Sequence, residues 1–145
     1  MYNIPKLIDV NAKSRYFSGY SKLLVVGRCV EYEHPPALEQ FKGWVKLSVC
    51  LEEEHMNHVG LKLAAILARN SFKEVGTLTT DGSPHCVQLH YMLEEVFKVM
   101  GITGVERRHF VISEGSLIEV GKEVVKASRY LAKVQKLMKC NGLLE

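Results

Sequence analysis

The sequence lacks several features that would assign it to a particular class of protein. It contains no C-x-x-C pair, which excludes both a zinc knuckle and a thioredoxin-type motif. Its longest apolar runs, such as KLLVVG and LKLAAIL, are far too short to cross a membrane. Its N-terminus has no basic segment followed by an apolar one, so no secretory signal is visible. We therefore expect a cytoplasmic protein that does not bind membranes.

An excess of charge and the common nucleotide-binding motifs are also missing. The formal net charge is +3 with the histidines neutral, which is too small to predict a nucleic-acid-binding face. Neither G-x-G-x-x-G nor G-x-x-x-x-G-K-[ST] occurs, which disfavours a standard dinucleotide or nucleoside-triphosphate site. The His-Cys pair at 85–86 is not that of a cysteine phosphatase, because Met92 stands where such an enzyme needs arginine.

The composition is that of an ordinary globular domain. Hydrophobic residues make up 47% of the 145 residues and charged residues 24%. A chain of this length suits one α/β domain over residues 1–145, with a core that needs no disulfides. The four cysteines are therefore expected to be reduced thiols.

The apolar patterns predict alternating strands and helices. Short β-branched runs predict strands over 22–28, 44–51, 74–80 and 107–113. Three- and four-residue apolar spacing, together with capping signals, predicts helices over 34–44, 52–70, 85–100 and 121–139. Glu114-Gly115-Ser116 favours a hairpin into the segment LIEVG.

This alternation indicates an α/β fold. Strand–helix–strand units produce parallel strands, with the connecting helices packed on the sheet. We predict a three-layer architecture with a mostly parallel sheet of about four or five strands, helices on both faces and a C-terminal β-hairpin.

Three cysteines follow three successive predicted strands. Cys29 lies just past the first strand, Cys50 closes the second, and Cys86 lies in the first turn of the helix after the third. Ligands of open parallel sheets bind outside the carboxyl ends of the strands, so we expect these thiols at one edge. Four histidines share that edge: His34, His55, His58 and His85.

This set of side chains predicts a metal site. Thiolates are soft ligands that select zinc, copper(I) or iron–sulfur clusters. Cys29, Cys50 and Cys86, with His85 or His55 as the fourth ligand, would complete a zinc site or hold an iron–sulfur cluster. We expect a metal or iron–sulfur binding protein that serves a redox partner protein in electron transfer, with homo-oligomers left open.

Two alternatives use the same edge differently. Cys86 is a candidate nucleophile of a hydrolase or transferase, activated by the helix N–H groups and by His55 as base. Asp81, Gly82 and Ser83, ahead of a helix, are candidates for binding a small molecule or anion on backbone N–H groups. Each cysteine taken alone is more commonly a buried apolar residue, so the metal hypothesis depends on their coming together.

Overall fold

Five strands form one sheet in the computed structural model, which describes residues 2–144. They are β1 (Lys22–Gly27), β2 (Val45–Val49), β3 (Glu74–Thr80), β4 (Glu106–Ser113) and β5 (Ser116–Val120). Their order across the sheet is β2-β1-β3-β4-β5. The first four strands are parallel, and β5 pairs antiparallel with β4 as a hairpin. The predicted mostly parallel α/β sheet and its C-terminal hairpin are confirmed.

Six α-helices accompany the sheet in the described part of the chain. They are α1 (Cys29–Glu33), α2 (Pro35–Leu38), α3 (Met56–Arg69), α4 (Pro84–Met100), α5 (Lys122–Ser128) and α6 (Leu131–Cys140). Short 3-10 turns occupy Leu7–Asp9, Arg15–Phe17 and Glu39–Phe41.

The first face of the sheet is covered by the two long helices, α3 and α4. Their inward stripes pack on alternate strand residues such as Val25, Leu47 and Val75, all of which are buried. The stripes themselves are Val59, Leu63 and Ile66 on α3 and Leu89, Leu93 and Phe97 on α4. Each fully buried side chain of this size stabilises the fold by roughly 1.5–3 kcal/mol, so this layer forms the larger core.

The second face has a thinner cover, made by α1, α2 and an aromatic cluster. Phe41, Trp44 and Phe110 meet edge to face, with ring centroids 4.9–6.4 Å apart. Gly76 of β3 lies beneath them, where an added Cβ would come within 3.2 Å of Trp44 and 3.3 Å of Phe110. The bare backbone of Gly76 therefore makes room for the aromatic layer.

The N-terminal segment protects the outer edge of β2. The Ser48 N–H donates to the Pro5 carbonyl oxygen at 2.8 Å, and Lys6 forms a parallel bridge with Ser48. Leu7 follows and is fully buried against the first face. Pairing an open strand edge in this way removes a site for association with another chain.

Three predicted helices differ from the observed ones at their ends. The helix predicted over 52–70 begins at Met56, because the His55 ring caps it by accepting a hydrogen bond from the Asn57 N–H at 3.2 Å. The helix predicted over 85–100 begins one residue earlier, at Pro84, after the Ser83 cap. The helix predicted over 34–44 stops as α2 and a 3-10 turn, ahead of Gly43, whose φ is +87°.

The helix predicted over 121–139 is two helices, α5 and α6. The Ser128 hydroxyl donates to the Val125 carbonyl oxygen at 2.8 Å and contacts the Tyr91 hydroxyl at 3.0 Å. Such a side-chain bond to the backbone competes with continuation of a helix. The next residue but one, Tyr130, has a non-helical backbone, with φ −106° and ψ 89°.

No helix within residues 2–144 has both the length and the apolar character needed to cross a membrane.

The space above Gly76 leads to a prediction about packing. We expect Gly76→Ala to lower the free energy of unfolding by about 1–3 kcal/mol, because the new methyl group would overpack the aromatic cluster. Gly60→Ala in α3 is the matched control, since its Cβ would meet Met92 at an ordinary 3.7 Å. That change should raise stability by about 0.5–1 kcal/mol through helix propensity. Urea unfolding measures both; equal effects would contradict the packing argument.

Candidate functional site

A small crevice lies at the carboxyl edge of the sheet, at the point between β1 and β3 where the order of the strands reverses. The connection from β1 to β2 runs over the second face through α1 and α2, whereas the connection from β2 to β3 runs over the first face through α3. The end of β1 leads into α1 on the second face, and the end of β3 leads into α4 on the first face. These two strand ends are neighbours, so a gap remains between them. The crevice has a volume of about 50 Å³.

The three cysteines expected at this edge all line the crevice. Cys29 is the first residue of α1, Cys50 directly follows β2, and Cys86 lies in the first turn of α4. Cys29 is exposed, whereas Cys50 and Cys86 are partly buried. The fourth cysteine, Cys140, is exposed at the end of α6 and does not line the crevice.

The thiols lie close enough to influence one another's charge. Desolvation raises the pKa of the Cys29 thiol above the ordinary value of a cysteine, and the neighbouring Cys50 and Cys86 raise it further. The second effect arises because thiolates repel each other across the crevice. Protons therefore remain on Cys29 to higher pH when no cation is bound.

The two candidate histidine ligands are separated by the fold. His85 lines the crevice, and its Nδ1 lies 3.9 Å from a carboxylate oxygen of Glu52, which also lines it. His55 is not a lining residue. Its ring caps α3 and lies against the ring of His58, with the centroids 5.4 Å apart. His85 is thus the histidine positioned beside the thiols.

The turn ahead of α4 supplies one side chain to the crevice. Ser83 lines it and caps the helix, accepting a hydrogen bond from the Cys86 N–H at 3.4 Å. Asp81 and Gly82 are not lining residues. The Asp81 N–H donates to the Ile112 carbonyl oxygen at 3.0 Å, which holds the turn to β4.

Cys86 has a hydroxyl neighbour rather than a base. Its Sγ lies 3.6 Å from the Thr80 Oγ1, at the end of β3. Within residues 2–144, no histidine ring is hydrogen-bonded to this sulfur. In the described residues Cys86 therefore forms no hydrogen-bonded Cys–His pair of the kind that activates a nucleophilic cysteine.

A buried arginine fixes the loop that carries Cys50. Arg28 donates through Nη1 to Glu53 and through Nη2 to Glu54, the latter at 2.7 Å. The same Glu54 oxygen accepts the Cys50 N–H at 2.9 Å, and the Arg28 N–H donates to Val49 at 2.9 Å. The end of β1 thus holds the end of β2. Of the three acidic residues that follow Cys50, Glu53 and Glu54 bind this arginine, whereas Glu52 lies beside His85.

The thiols share the crevice without forming a ready-made set of ligands. Among residues 2–144, no three or more His, Cys, Asp or Glu side chains stand in an arrangement that could hold a metal ion as placed. Metal binding at this edge would require the side chains lining the crevice to change rotamer.

In a comparison with known families, the Rossmann-like domain matches residues 18–141, which is consistent with the mostly parallel sheet described above. The chain belongs to the Rossmann-like domain family. Comparisons with curated proteins and with solved structures found no match.

A chain of buried polar groups crosses the first face of this Rossmann-like domain, beneath α4. His90 of α4 and His109 of β4 are buried, with their Nδ1 atoms 2.9 Å apart. Thr79 Oγ1 contacts His90 Nε2 at 2.8 Å, and Thr77 Oγ1 lies 2.7 Å and 3.0 Å from the two Nδ1 atoms. At the far end, His109 Nε2 contacts Glu94 at 2.8 Å.

One arrangement of hydrogens satisfies this polar chain. Arg107 Nε and His109 Nε2 both donate to the Glu94 carboxylate, and these bonds lower its pKa although burial alone would raise it. His109 Nδ1 can then accept from His90, whose Nε2 accepts from Thr79. Burial, with the nearby His109, lowers the pKa of His90 to about 3.

This chain of buried hydrogen bonds could not be predicted from the sequence pattern. His90 follows Leu89 on the inward side of a predicted helix, and Thr77 and Thr79 are residues of a type that is common in strands. A polar residue beside an apolar stripe is the only local signal of buried hydrogen bonding.

The arginine at the crevice leads to a prediction about stability. We expect Arg28→Ala to lower the free energy of unfolding by about 3–5 kcal/mol, because it leaves the nearly buried Glu54 without its cation. Lys42→Ala is the control; it removes an exposed pair with Glu39 and should change stability by no more than about 0.5 kcal/mol. Urea denaturation measures both changes. Similar small effects would show that Arg28 does not hold the loop.

The buried His90 leads to a prediction about pH. Because its pKa is about 3 in the folded state against 6.5 in an unfolded chain, the unfolded state binds the proton between these values. Stability should therefore fall as pH drops from 6.5 towards 3, with His90 contributing up to about 1.4 kcal/mol per pH unit. Unfolding of His90→Gln between pH 4 and 7 should show a shallower slope than wild type. The variant His58→Gln changes an exposed histidine and should keep the wild-type slope of stability against pH. If His90→Gln also kept the wild-type slope, the low pKa of His90 in the folded state would be refuted.

Proposed function

We propose that the crevice binds a soft metal ion or an iron–sulfur centre through Cys29, Cys50 and Cys86. The observation that carries this proposal is that three thiols from three separate strand ends line one crevice at the reversal point of the sheet. Single cysteines are commonly core residues, but these three are exposed or partly buried at the edge where ligands of such folds bind.

The volume of the crevice supports a small ligand. Sites for organic ligands and cofactors usually enclose about 300–1,000 Å³. The crevice, at about 50 Å³, has no room for a dinucleotide or flavin without large movement. A single ion surrounded by side-chain ligands suits this space best, and an iron–sulfur cluster would require the edge to widen.

The electrostatics of the thiols support a cationic ligand. Desolvation makes the largest contribution to the raised pKa of Cys29, and Cys50 and Cys86 raise it further because thiolates repel each other when no cation lies between them. A divalent cation reverses this effect, since coordination deprotonates a thiol and neutralises the repulsion. The same proximity that disfavours free thiolates therefore favours metal binding.

His85 is the fourth ligand that the geometry favours. Ligating histidines usually hold their second ring nitrogen against a carboxylate, which fixes the ring and increases its basicity. Glu52 lies 3.9 Å from His85 Nδ1, which leaves Nε2 for the metal. His55 is less suited, because its Nδ1 already caps α3.

The identity of the metal determines the role. Zinc has no redox chemistry, so a zinc-loaded crevice would stabilise the edge or carry the ion. An iron–sulfur centre would give the protein an accessory role in electron transfer to a partner protein. Reduced cysteines suit either role in the cytoplasm, the compartment we propose.

Metal analysis of variants tests the proposal. Protein purified without oxygen, and apoprotein reconstituted separately with Zn²⁺, Cu(I), or iron and sulfide, should bind one of these stoichiometrically. The triple variant Cys29→Ser/Cys50→Ser/Cys86→Ser should lose that binding, because serine is a poor ligand for soft metals. Visible absorbance distinguishes a cluster from colourless zinc.

Cys140→Ser is the matched control, since Cys140 is a cysteine of the same chain that does not line the crevice. It should keep the metal content of the wild type. Unchanged binding by the triple variant, or no binding by the wild type in all three reconstitutions, would refute the proposal. Rapid alkylation of Cys86 alone in a metal-free protein would favour the nucleophile instead.

A further inference from the structure

A larger cavity lies towards the other end of α4, away from the cysteines. Its volume is about 510 Å³, within the range of small-molecule sites. Residues of α4 from Tyr91 to Lys98 form one wall, residues of α5 form another, and Arg107 near the start of β4 also lines the cavity. It shares no lining residue with the thiol crevice.

Part of the cavity lining is apolar. Phe97 and Val125 are buried residues of the two helices, and Ile102 follows the end of α4. Tyr91 joins the two walls, because its hydroxyl contacts the Ser128 hydroxyl of α5 at 3.0 Å. A ligand with an apolar or aromatic body could therefore contact a preformed surface.

The rest of the lining carries an excess of positive charge. Three acidic residues, Glu94, Glu95 and Glu123, face five basic ones: Lys98, Arg107, Lys122, Lys126 and Arg129. Of these five, Arg107 alone forms an ion pair within residues 2–144. The other four cations are thus available to an anion that enters the cavity.

Arg107 is held in position for such an anion. Its Nε donates to Glu94 at 2.9 Å, and its guanidinium lies over the Phe97 ring, 5.2 Å from the centroid. Glu94 is itself fixed by His109 at 2.8 Å. The two terminal nitrogens of Arg107 have no protein partner in the described chain and are not among its buried, unpartnered atoms. They remain free to bind a carboxylate or phosphate in the planar geometry that arginine favours.

We propose that this cavity binds a small organic anion, in which an aromatic or apolar body carries a carboxylate or phosphate group. Phe97, Ile102 and Val125 contact the body, and Arg107 binds the anionic group together with Lys126 and Arg129. The site is independent of the thiol crevice.

Titration of ¹⁵N-labelled protein tests the proposal, with phenyl phosphate and benzoate as probes. We expect at least one probe to cause saturable shifts in the amide signals of the cavity residues. Inorganic phosphate lacks the ring and benzyl alcohol lacks the charge, so each should bind at least about tenfold more weakly. Saturable binding by neither probe, or equal binding of inorganic phosphate, overturns the proposal.

Paired charge variants separate a built site from general positive charge. Lys126→Gln/Arg129→Gln changes two exposed cavity residues and should weaken probe binding about tenfold or more through lost charge-assisted hydrogen bonds. Lys133→Gln/Lys136→Gln removes the same charge from α6, outside the cavity, and should change affinity less than about twofold. Equal weakening by both pairs overturns the proposal.

Discussion

Parallel pairing of β1 with both β2 and β3 is the constraint on which the rest of the structure depends. It brings three strand ends to one edge, and each end is followed within a few residues by a cysteine. Arg28 strengthens this arrangement, because its nearly buried guanidinium holds the carboxylate of Glu54, which in turn holds the Cys50 N–H. Because breaking a buried arginine–carboxylate pair is costly, this pair ties the end of β2 to the end of β1 beside the thiols.

The fold and the approach of the thiols could both be predicted from sequence, since both follow from strand positions. The run at β1 is strongly apolar and ends at glycine, and the run at β3 is rich in β-branched residues and ends at the Asp81-Gly82 turn, so the residues after them had to lie at the carboxyl edge. The roles of Glu53 and Glu54 could not be predicted. Acidic residues before an apolar stripe usually stabilise a helix start, and only the folded edge shows that they bind Arg28.

The interior beneath α4 was also inaccessible to sequence patterns. His90 and His109 are nineteen residues apart and lie on different elements, so their contact depends on how the helix is seated on the sheet. The same polar chain ends at Glu94, which orients Arg107 at the charged cavity. The helix α4 therefore connects two separate regions: a thiol crevice at its first turn and an anion-suited cavity along its second half.

X-ray absorption spectroscopy of the zinc-loaded protein tests the central claim most directly, because it counts the atoms bound to the metal. Three sulfur neighbours at about 2.3 Å and one nitrogen at about 2.0 Å are the result that convergence of Cys29, Cys50, Cys86 and His85 predicts. A first shell of oxygen and nitrogen alone would contradict it. So would a sulfur count that stays the same when Cys86 is replaced by serine.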